Sequence, residues 1–426
     1  MRPTKIVVIG AGSACFGPGC LRDAINCEGL SGSTLSLVDI DGDALEVMAK
    51  LARRMNEESG AGLTIEHTTD RREALPGAEF VITCIAIKRN ELWRLDWQIP
   101  LNHGIKQVFG ENGGPGGLSH TLRNVPAILD ICRDMEKLCP NALLMNFCNP
   151  ESRICLAVSK YTSIKAVGLC HGVFMGMDSI ARIVGVEQLD VDVKAAGLNH
   201  FTWALSAHRA STGEDLYPAL REKEPNCDPN WLPLTRALFR TYGLFPFCSD
   251  DHIGEYLGFA WEKVHERGFD FDGADARRDK GWAHALKMAS GEEPVAEYMR
   301  RGSGEASFDI VRGILADTNQ LLPAVNIPNR GCITNLPADA VVEVPATVNS
   351  AGLQGLCLGD MPDGIAGLLN NQIAVQKLTV DAAVTGSRQL ALQAMLADPV
   401  VTDMDVAERC LDELLSVHAE FLPQFR

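Results

Sequence analysis

The sequence predicts an α/β protein with a doubly wound, Rossmann-like parallel sheet in its N-terminal half and a mixed α+β C-terminal half. Three observations predict this class. Short apolar runs alternate with amphipathic helical segments as far as Val167. A glycine turn, Gly10-Ala11-Gly12, follows the first apolar run. Beyond His200 the alternation stops, and tryptophan and charged helical segments dominate residues 203–301.

The individual elements follow from their apolar patterns and their boundaries from glycine, proline and polar residues. Strands are predicted at residues 5–9, 34–38, 80–85, 142–146 and 338–348. Helices are predicted at residues 21–25, 43–59 and 122–138, and a long helical stretch at residues 365–396. In open α/β sheets, ligands bind beyond the carboxyl ends of the strands, so the residues that follow each strand are the first functional candidates.

The composition is that of a globular protein and argues against several classes of function. Apolar residues make up 46% and charged residues 22% of the 426-residue chain, and two lobes are the default at this length. A net charge of −16 argues against nucleic-acid or anionic-membrane partners. There is neither an apolar run long enough to span a bilayer nor a signal-peptide pattern. We therefore expect a cytoplasmic protein whose 14 cysteines are mostly buried free thiols.

The turn after the first strand is typical of a dinucleotide-binding site. Gly10 and Gly12 let the backbone approach a pyrophosphate, and the helix that follows Ser13 presents unpaired N–H groups to it. Cys15 stands where the fingerprint usually has a third glycine. The second strand ends at Asp39, whose carboxylate can accept from ribose hydroxyls and would repel a 2′-phosphate. The residues favour NAD over NADP; a doubly wound fold whose turn binds nothing is the alternative.

Residues after the next strand are candidates for substrate binding. Arg89 follows the strand at 80–85 and could face a substrate anion, although a solvated loop explains it as well. The most glycine-dense stretch, residues 110–117, can lie against a ligand and carry Glu111 and Asn112 into it. A purely structural loop is the alternative there.

Further along the chain, a thiol and an imidazole predict a divalent-metal site. Cys170 follows a short apolar run and His200 follows a run with strand alternation, so both can reach one cleft. Sulfur and imidazole nitrogen are suitable ligands for a divalent transition metal. Asn149, at the end of the strand at 142–146, can both donate to and accept from a sugar hydroxyl.

A polar segment in the C-terminal half adds a candidate base. Asp250 is a possible general base. His252 and Glu255 are either partners of the metal ligands or a capping arrangement at a helix start. With NAD and a metal in one pocket, the residues alone predict a metal-assisted, NAD-using enzyme acting on a polyol or sugar. A plain dehydrogenase satisfies the same features.

The chain also resembles a family 4 glycoside hydrolase from end to end. Seven motifs occur in the family's order, which is far more specific than a glycine turn. They are Ile9-Gly10-Ala11-Gly12-Ser13, the Gly110 to Gly117 loop, Asn146-Phe147-Cys148-Asn149-Pro150, Gly168-Leu169-Cys170-His171-Gly172, Gly197-Leu198-Asn199-His200, Asp250-Asp251-His252 with Glu255-Tyr256, and Val342-Glu343-Val344-Pro345.

The resemblance implies hydrolysis through a redox-assisted elimination. NAD oxidises C3 of the sugar, a base removes the C2 proton, the aglycone leaves from C1, water adds to the alkene, and the hydride returns. Cys170 and His200 would hold a manganese-type ion at the C2 and C3 oxygens. Asp250 would be the base, His171 would assist the leaving group, and Asn149 would bind substrate near the nicotinamide.

The resemblance also narrows the substrate. His171 after the metal cysteine resembles the branch that acts on unphosphorylated α-glycosides, and Gly172 resembles its uronidase members. We therefore expect an α-glycoside of an anionic hexose, with a uronic acid first, and Glu111 and Asn112 beside it. A sulfosugar (sulfoquinovoside) and a neutral α-galactoside or α-glucoside are alternatives. The candidates for the cation that would bind this anion are Arg89, Arg94, Arg301 and Arg330.

The predicted organisation has two domains. Residues 1–196 form the NAD-binding, Rossmann-like domain, and residues 197–426 form the α+β substrate, catalytic and oligomerisation domain. The resemblance implies a homodimer or homotetramer. Two competing functions remain open at this point: a sugar or hydroxy-acid dehydrogenase, and a non-catalytic nucleotide-binding protein.

Overall fold

A computed structural model of the protein describes residues 1–300, 302 and 304–426. The first half of the chain alternates strands and helices, as predicted. Its elements are β1 (Lys5–Ile9), α1 (Gly17–Asn26), β2 (Thr34–Val38), α2 (Gly42–Ser59), β3 (Thr64–Thr68), α3 (Arg71–Ala74), β4 (Phe80–Thr83), α4 (Arg89–Asn102), α5 (Gly114–Leu138), β5 (Leu143–Asn146), α6 (Glu151–Tyr161), β6 (Lys165–Gly168) and α7 (Gly172–Val184).

The second half has longer strands and many helices. Its elements are β7 (Val191–Leu198), β8 (Phe201–Arg209), α8 (Tyr217–Lys223), α9 (Pro233–Tyr242), β9 (Phe245–Phe247), α10 (Asp250–Gly254), α11 (Phe271–Ser290), α12 (Ala296–Met299), α13 (Ser307–Ala316), β10 (Gln320–Pro328), β11 (Val341–Asn349), β12 (Gly352–Gly355), α14 (Asp363–Thr385), α15 (Arg388–Ala397) and α16 (Met404–Val417). Short 3₁₀ turns lie at Gln188–Asp190, Glu224–Asn226, Ala419–Phe421 and Pro423–Phe425.

One continuous mixed sheet joins the two halves. The first six strands are parallel in the order β3-β2-β1-β4-β5-β6, which confirms the doubly wound prediction. The sheet continues as β10-β11-β7-β8-β9, with β12 beside β11, and these later pairs are antiparallel. The halves meet where Asn326 pairs with Gly168. The predicted domain boundary, between residues 196 and 197, falls inside β7, and the division into domains stays a prediction.

The parallel strands are covered on both faces, as their continuous apolar runs predict. Val7 and Ile9 of β1 face a core built from α5, α6 and the C-terminal helices α14 to α16. Ile6 and Val8 face the opposite core, which is built from α1, α2, α11 and α13. Because neighbouring residues of β1 point to opposite layers, the loops beyond its carboxyl end are fixed from both sides.

Three predicted helical segments differ most from the structure in their bounds. Helix α5 begins at Gly114, so the glycine-dense stretch supplies the first turn of a helix as well as a loop. Helix α1 begins at Gly17, before the predicted residue 21. The stretch at 365–396 divides into α14 and α15, because Gly386 adopts a left-handed φ of +69° and Ser387 caps α15 through its hydroxyl. Among the described residues, no helix is long and apolar enough to cross a membrane.

Candidate active site

The glycine turn lies beyond the carboxyl end of β1, pinned to the end of β2. The backbone N–H of Gly12 donates to Oδ2 of Asp39 at 2.8 Å, so the residue expected to read ribose also orders the turn. Gly10 has a φ of +96°, and a Cβ atom there would lie 2.7 Å from the carbonyl oxygen of Cys84. Ser13 accepts a hydrogen bond on its hydroxyl from the N–H of Phe16 at 3.2 Å. Three of the four predicted cofactor residues thus lie in one short turn, and the fourth, Asp39, is bonded to it from the end of β2.

The third glycine of this turn could not be recognised from the usual spacing of the fingerprint. Cys15 is exposed and lies before the helix begins. The close contact between turn and helix is made instead by Gly17, where a Cβ atom would lie 2.6 Å from the carbonyl oxygen of Ala11. The longer turn displaces this glycine from its usual spacing, which is why the fingerprint looked imperfect.

The structure brings the two predicted metal ligands together. Cys170 follows the end of β6, and His200 lies in the tight turn between β7 and β8 with a φ of +62°. Sγ of Cys170 lies 3.2 Å from Nε2 of His200, although thirty residues separate them in the chain. A left-handed φ is uncommon for a residue other than glycine, and it marks His200 as a constrained position.

The neutral imidazole of the pair suits metal binding, whereas the thiol would have to lose its proton on coordination. Burial lowers the pKa of His200 well below its usual value, and the neighbouring charge of His252 acts in the same direction, so the imidazole is neutral. Burial also raises the pKa of the Cys170 thiol, with the charge of Glu343 adding to the effect. A bound divalent cation would reverse this second shift, because coordination deprotonates a thiol.

The distance between the ligand atoms also fits a shared ion. Bonds of about 2.3 Å to sulfur and about 2.0 Å to nitrogen place the two atoms roughly 3.1–3.5 Å apart at ordinary coordination angles. The 3.2 Å observed for Cys170 and His200 lies within that span. In the part of the chain that the structure describes, no group of three or more His, Cys, Asp or Glu residues is arranged to hold a metal.

His252 lies directly against the predicted metal ligand. Its ring stacks on that of His200, with centroids 4.4 Å apart and planes inclined by 9°. Its Nδ1 lies 3.7 Å from Oε1 of Glu255, one turn along the chain. Burial opposes the charged imidazolium, but the nearby carboxylates of Glu255 and Asp251 outweigh it and raise the pKa of His252 to about 9. Of the two sequence-based alternatives, partner of the metal ligands fits His252 better than a helix cap.

Three of the four predicted substrate residues form a polar cluster, in which Glu111 and Asn112 are buried and Arg89 is half-exposed. Nη2 of Arg89 donates to Oε1 of Glu111 at 2.7 Å, and the amide of Asn112 donates to the other oxygen at 3.3 Å. Burial opposes ionisation of Glu111, but the charges of Arg89 and His252 outweigh it and lower the pKa of that carboxyl to about 2. Glu111 is therefore an acceptor at any physiological pH.

The contacts of Asp250 differ from those of a free base. Its two carboxylate oxygens accept from the N–H of Leu234 at 2.8 Å, from the N–H of Thr235 at 2.8 Å and from the Thr235 hydroxyl at 2.6 Å. These donors belong to the first turn of α9, so Asp250 caps that helix. Burial raises the pKa of its carboxyl. Asp251 is the carboxylate whose charge acts on His252, and the Ser249 hydroxyl donates to it.

The side chains of the remaining two predicted residues, His171 and Asn149, are not buried. His171 is largely exposed, and its Nδ1 lies 3.5 Å from Oε1 of Glu305. That hydrogen bond raises the pKa of His171. The main-chain carbonyl of Asn149 accepts from the amide of Asn124 at 2.8 Å. The side chain of Asn149 makes no hydrogen bond to another described residue and so can serve a ligand.

A buried carboxylate behind the metal pair was not identified from the sequence as a site residue. Glu343 accepts from the amides of Asn199 and Asn326, each at 3.3 Å, and from the hydroxyl of Thr202. Two of these donors flank His200, so Glu343 orders the turn that carries it. The available signal was a lone charged residue inside the apolar strand run around it.

The structure separates the predicted anion-reading cations. Arg94 pairs with Asp272 and Asp275, at 2.7 and 3.2 Å. Arg330 lines a cavity of about 960 Å³ at the amino ends of β4, β5 and β6, which is the sheet edge opposite to Cys170. Arg301 lies outside the described residues. Arg89, bonded to Glu111, is the predicted cation that the structure places in the polar cluster.

Comparison with known proteins identifies the family. The model of the family 4 glycosyl hydrolases matches residues 5–186, and the model of their C-terminal domain matches residues 195–401. The protein belongs to glycosyl hydrolase family 4. The resemblance stated from the seven motifs is therefore confirmed, and with it the prediction of a glycosidase.

Relatives within family 4 act on different sugars. An alpha-glucosidase of Erwinia rhapontici is 37% identical, over 97% of either chain. An alpha-galactosidase of Bacillus subtilis is 29% identical over 99% of this chain and all of that one. An alpha-galacturonidase of the same species is 30% identical over 96% of either chain. All three are named as α-glycosidases, and they differ in whether C6 carries an acid.

Solved structures of relatives share the fold over the whole chain. The lplD protein of Bacillus subtilis has a TM-score of 0.87 and 29% identity, covering 97% of this chain and all of that one. A 6-phospho-alpha-glucosidase from gut microorganisms, solved in complex with NAD and Mn²⁺, has a TM-score of 0.84 and 23% identity over both full chains. At 23% identity, the second match shows that the two proteins share a fold.

Proposed function

We propose that this family 4 member hydrolyses α-glycosides of an anionic hexose, a uronic acid first, with bound NAD and a divalent ion such as Mn²⁺. The observation that carries the proposal is the 3.2 Å approach of Cys170 and His200 at the sheet edge that also holds the glycine turn. Two strands lie between β1 and β6, which sets the two sites about 14 Å apart at a strand spacing of about 4.8 Å. An extended dinucleotide can bridge such a span along the strand ends.

When bound, NAD would accept and later return a hydride, and the ion would stabilise charge on the sugar oxygens. The chain's own residues hold these groups. Gly10, Gly12 and Ser13 form the turn for the pyrophosphate, with Asp39 beside it for the ribose. Cys170 and His200 are the proposed metal ligands, and Glu343 orders the turn that carries His200. Structures of 6-phosphoglycosidases with NAD and manganese support the same pair of cofactors.

A carboxylate of the segment at residues 250–251 would remove the C2 proton. Asp250 is the base implied by resemblance, but both of its oxygens are engaged in capping α9. Asp251 is the stronger of the two candidates on contacts, because the hydrogen bonds it accepts from described residues, those of the Ser249 hydroxyl and the His252 N–H, both go to Oδ1. His171, exposed at the start of α7, is proposed to protonate the leaving aglycone.

The substrate proposal rests on the polar cluster and on the relatives. Asn149, Glu111 and Asn112 would bind sugar hydroxyls, and Arg89 would share its guanidinium between Glu111 and a C6 anion. The alpha-galacturonidase of Bacillus subtilis is 30% identical to this chain, which supports an acidic sugar. A sulfosugar and a neutral α-galactoside or α-glucoside remain alternatives under the same mechanism. Assembly into a homodimer or homotetramer is part of the proposal.

The proposal is tested by turnover of a panel of aryl α-glycosides: glucuronide, galacturonide, galactoside, glucoside and sulfoquinovoside. We expect aglycone release to require NAD and Mn²⁺, without net accumulation of NADH, and the C2 hydrogen to exchange with solvent deuterium. Stoichiometric NADH without aglycone release would indicate a dehydrogenase instead. NAD binding without turnover of any compound would indicate a nucleotide-binding protein.

A further inference from the structure

A single carboxylate of the C-terminal half holds a loop of the N-terminal half. Oε2 of Glu255 accepts hydrogen bonds from three consecutive backbone N–H groups, those of residues 111, 112 and 113, at 2.7, 2.6 and 2.9 Å. The Glu255 side chain is fully buried. We call residues 110–113 the substrate loop, because they carry Glu111 and Asn112. Three hydrogen bonds to one buried carboxylate oxygen constrain this backbone strongly.

The substrate loop lies too close to Glu255 for any side chain to intervene. A Cβ atom at Gly113 would lie 2.5 Å from the carbonyl oxygen of Glu255. On the other side of this contact, the N–H of Gly114 donates to Oδ2 of Asp398 at 3.1 Å, and the N–H of Gly116 donates to Gln107 at 2.9 Å. The glycines therefore serve close packing of backbone against carboxylates, in addition to any approach to a ligand.

The other oxygen of Glu255 is directed to the metal side of the site. Oε1 lies 3.7 Å from Nδ1 of His252, whose ring stacks on that of His200. One side chain thus contacts both the substrate loop and His252, which stacks on the predicted metal ligand His200. A shift of Glu255 would move the substrate loop and His252 together, because the same side chain contacts both.

We propose that Glu255 is a positioning residue that fixes the substrate loop relative to the Cys170–His200 pair. Its effect on turnover rests on the proposed function, whereas its effect on the loop does not. Replacement by Gln keeps the size but removes the charge that three N–H groups share, and adds an NH₂ group among those donors. Replacement by Asp keeps the charge on a side chain one methylene shorter.

The test compares wild-type protein with Glu255→Gln and Glu255→Asp. Hydrogen exchange followed by mass spectrometry reports on the peptide that contains the substrate loop. We expect its amides to exchange at least tenfold faster in Glu255→Gln, and Mn²⁺ affinity, measured by calorimetry, to fall several-fold. The NAD affinity should stay within twofold of wild type, and KM for the active glycoside should rise more than kcat falls. Glu255→Asp should recover part of the protection.

Glu224→Gln serves as the matched control, because it removes another buried carboxylate, bonded to Arg236 and Arg240, that does not touch the loop. Equal exchange of the loop in Glu255→Gln and wild type would overturn the proposal, as would faster exchange with unchanged Mn²⁺ affinity and KM. If wild type hydrolyses no glycoside, the proposed function fails, while exchange and Mn²⁺ titration still decide this inference. If Glu255→Gln does not fold, Glu255→Asp decides it by the same measurements.

Discussion

The carboxyl group of Glu151 fills the space that a side chain at Gly168 would need: a Cβ atom built on Gly168 would overlap Oε1 of Glu151. Glu151 is 2% exposed and begins α6, while Gly168 ends β6, two residues before Cys170. The thiol of Cys155 donates to the same oxygen at 2.9 Å. Helix α6 and the end of the strand that precedes Cys170 are therefore packed together through one buried acid.

Gly168→Ala should destabilise the protein. The added methyl group must displace either a buried carboxyl or the end of β6, and we expect a loss of about 1–3 kcal/mol in unfolding free energy. Urea denaturation measures it. Gly367→Ala is the control: this exposed glycine of α14 has no atom within 4 Å of its would-be Cβ, so alanine there should stabilise by about 0.5–1 kcal/mol. Equal effects at the two positions would contradict the overlap.

Glu151→Gln should make the protein less sensitive to rising pH. Burial, with the charge of Glu343 adding to it, raises the pKa of Glu151 from 4.5 to about 8. The folded state thus binds this proton more tightly than the unfolded state, so its contribution to stability is lost as the pH rises from about 4.5 to 8. Gln resembles the protonated form and has no proton to lose.

The measurement is the unfolding free energy from pH 5 to pH 8.5. The difference between variant and wild type should move in favour of Glu151→Gln by at most about 1.4 kcal/mol per pH unit and level off above pH 8. Glu297→Gln, on the short helix α12, is the control for replacing a glutamate elsewhere in the chain. A difference that is constant with pH for Glu151→Gln would show that the acid ionises normally in the folded protein.

Cys170→Ser should weaken Mn²⁺ binding at least tenfold and leave NAD binding unchanged. The sulfur lies 3.2 Å from His200, and a hydroxyl is a poorer ligand than a thiolate for a divalent transition metal. Isothermal titration with each ligand measures both effects without requiring turnover. Cys357→Ser, at an exposed cysteine after β12, provides the control. Unchanged Mn²⁺ affinity in Cys170→Ser would remove this residue from the metal site.

Variants at the two adjacent aspartates should separate a structural role from a catalytic one. Asp250→Asn should lower stability by about 1 kcal/mol through the cap of α9 and retain deuterium exchange at C2. Asp251→Asn should retain stability and lose most of that exchange. Nuclear magnetic resonance of the recovered glycoside measures the exchange, and thermal unfolding measures stability. The opposite pattern would restore Asp250 as the base.

Much of the fold and part of the site could be predicted from the sequence. The alternating apolar runs predicted the parallel sheet, and Cys170 and His200 were found because each follows a strand run. The capping role of Asp250 could not be predicted, because its donors are at Leu234 and Thr235, in a helix that only the tertiary fold brings near. The seven motifs, not periodicity, supplied the family.

Contacts that depend on close packing were also out of reach. The close packing of Glu151 against Gly168 joins a helix to a strand, and the spacing of these residues in the sequence carries no information on it. The three bonds to Glu255 involve backbone N–H groups, which any residue offers. The glycine-dense stretch at residues 110–117 predicted a backbone that can lie close to a ligand, and it did not indicate a carboxylate of the protein.

Asp39→Asn should change cofactor preference as well as affinity. The carboxylate accepts from the N–H of Gly12 at 2.8 Å, and its charge would repel a 2′-phosphate. Asn retains an oxygen for Gly12 but loses the charge, so we expect NAD to bind about tenfold more weakly, equivalent to about 1.4 kcal/mol, and the NAD-to-NADP affinity ratio to fall further. Asp41→Asn is the matched control, because Asp41 caps α2 two residues away. Fluorescence titration of both cofactors measures the ratio, and an equal ratio in the two variants would show that Asp39 does not face the ribose.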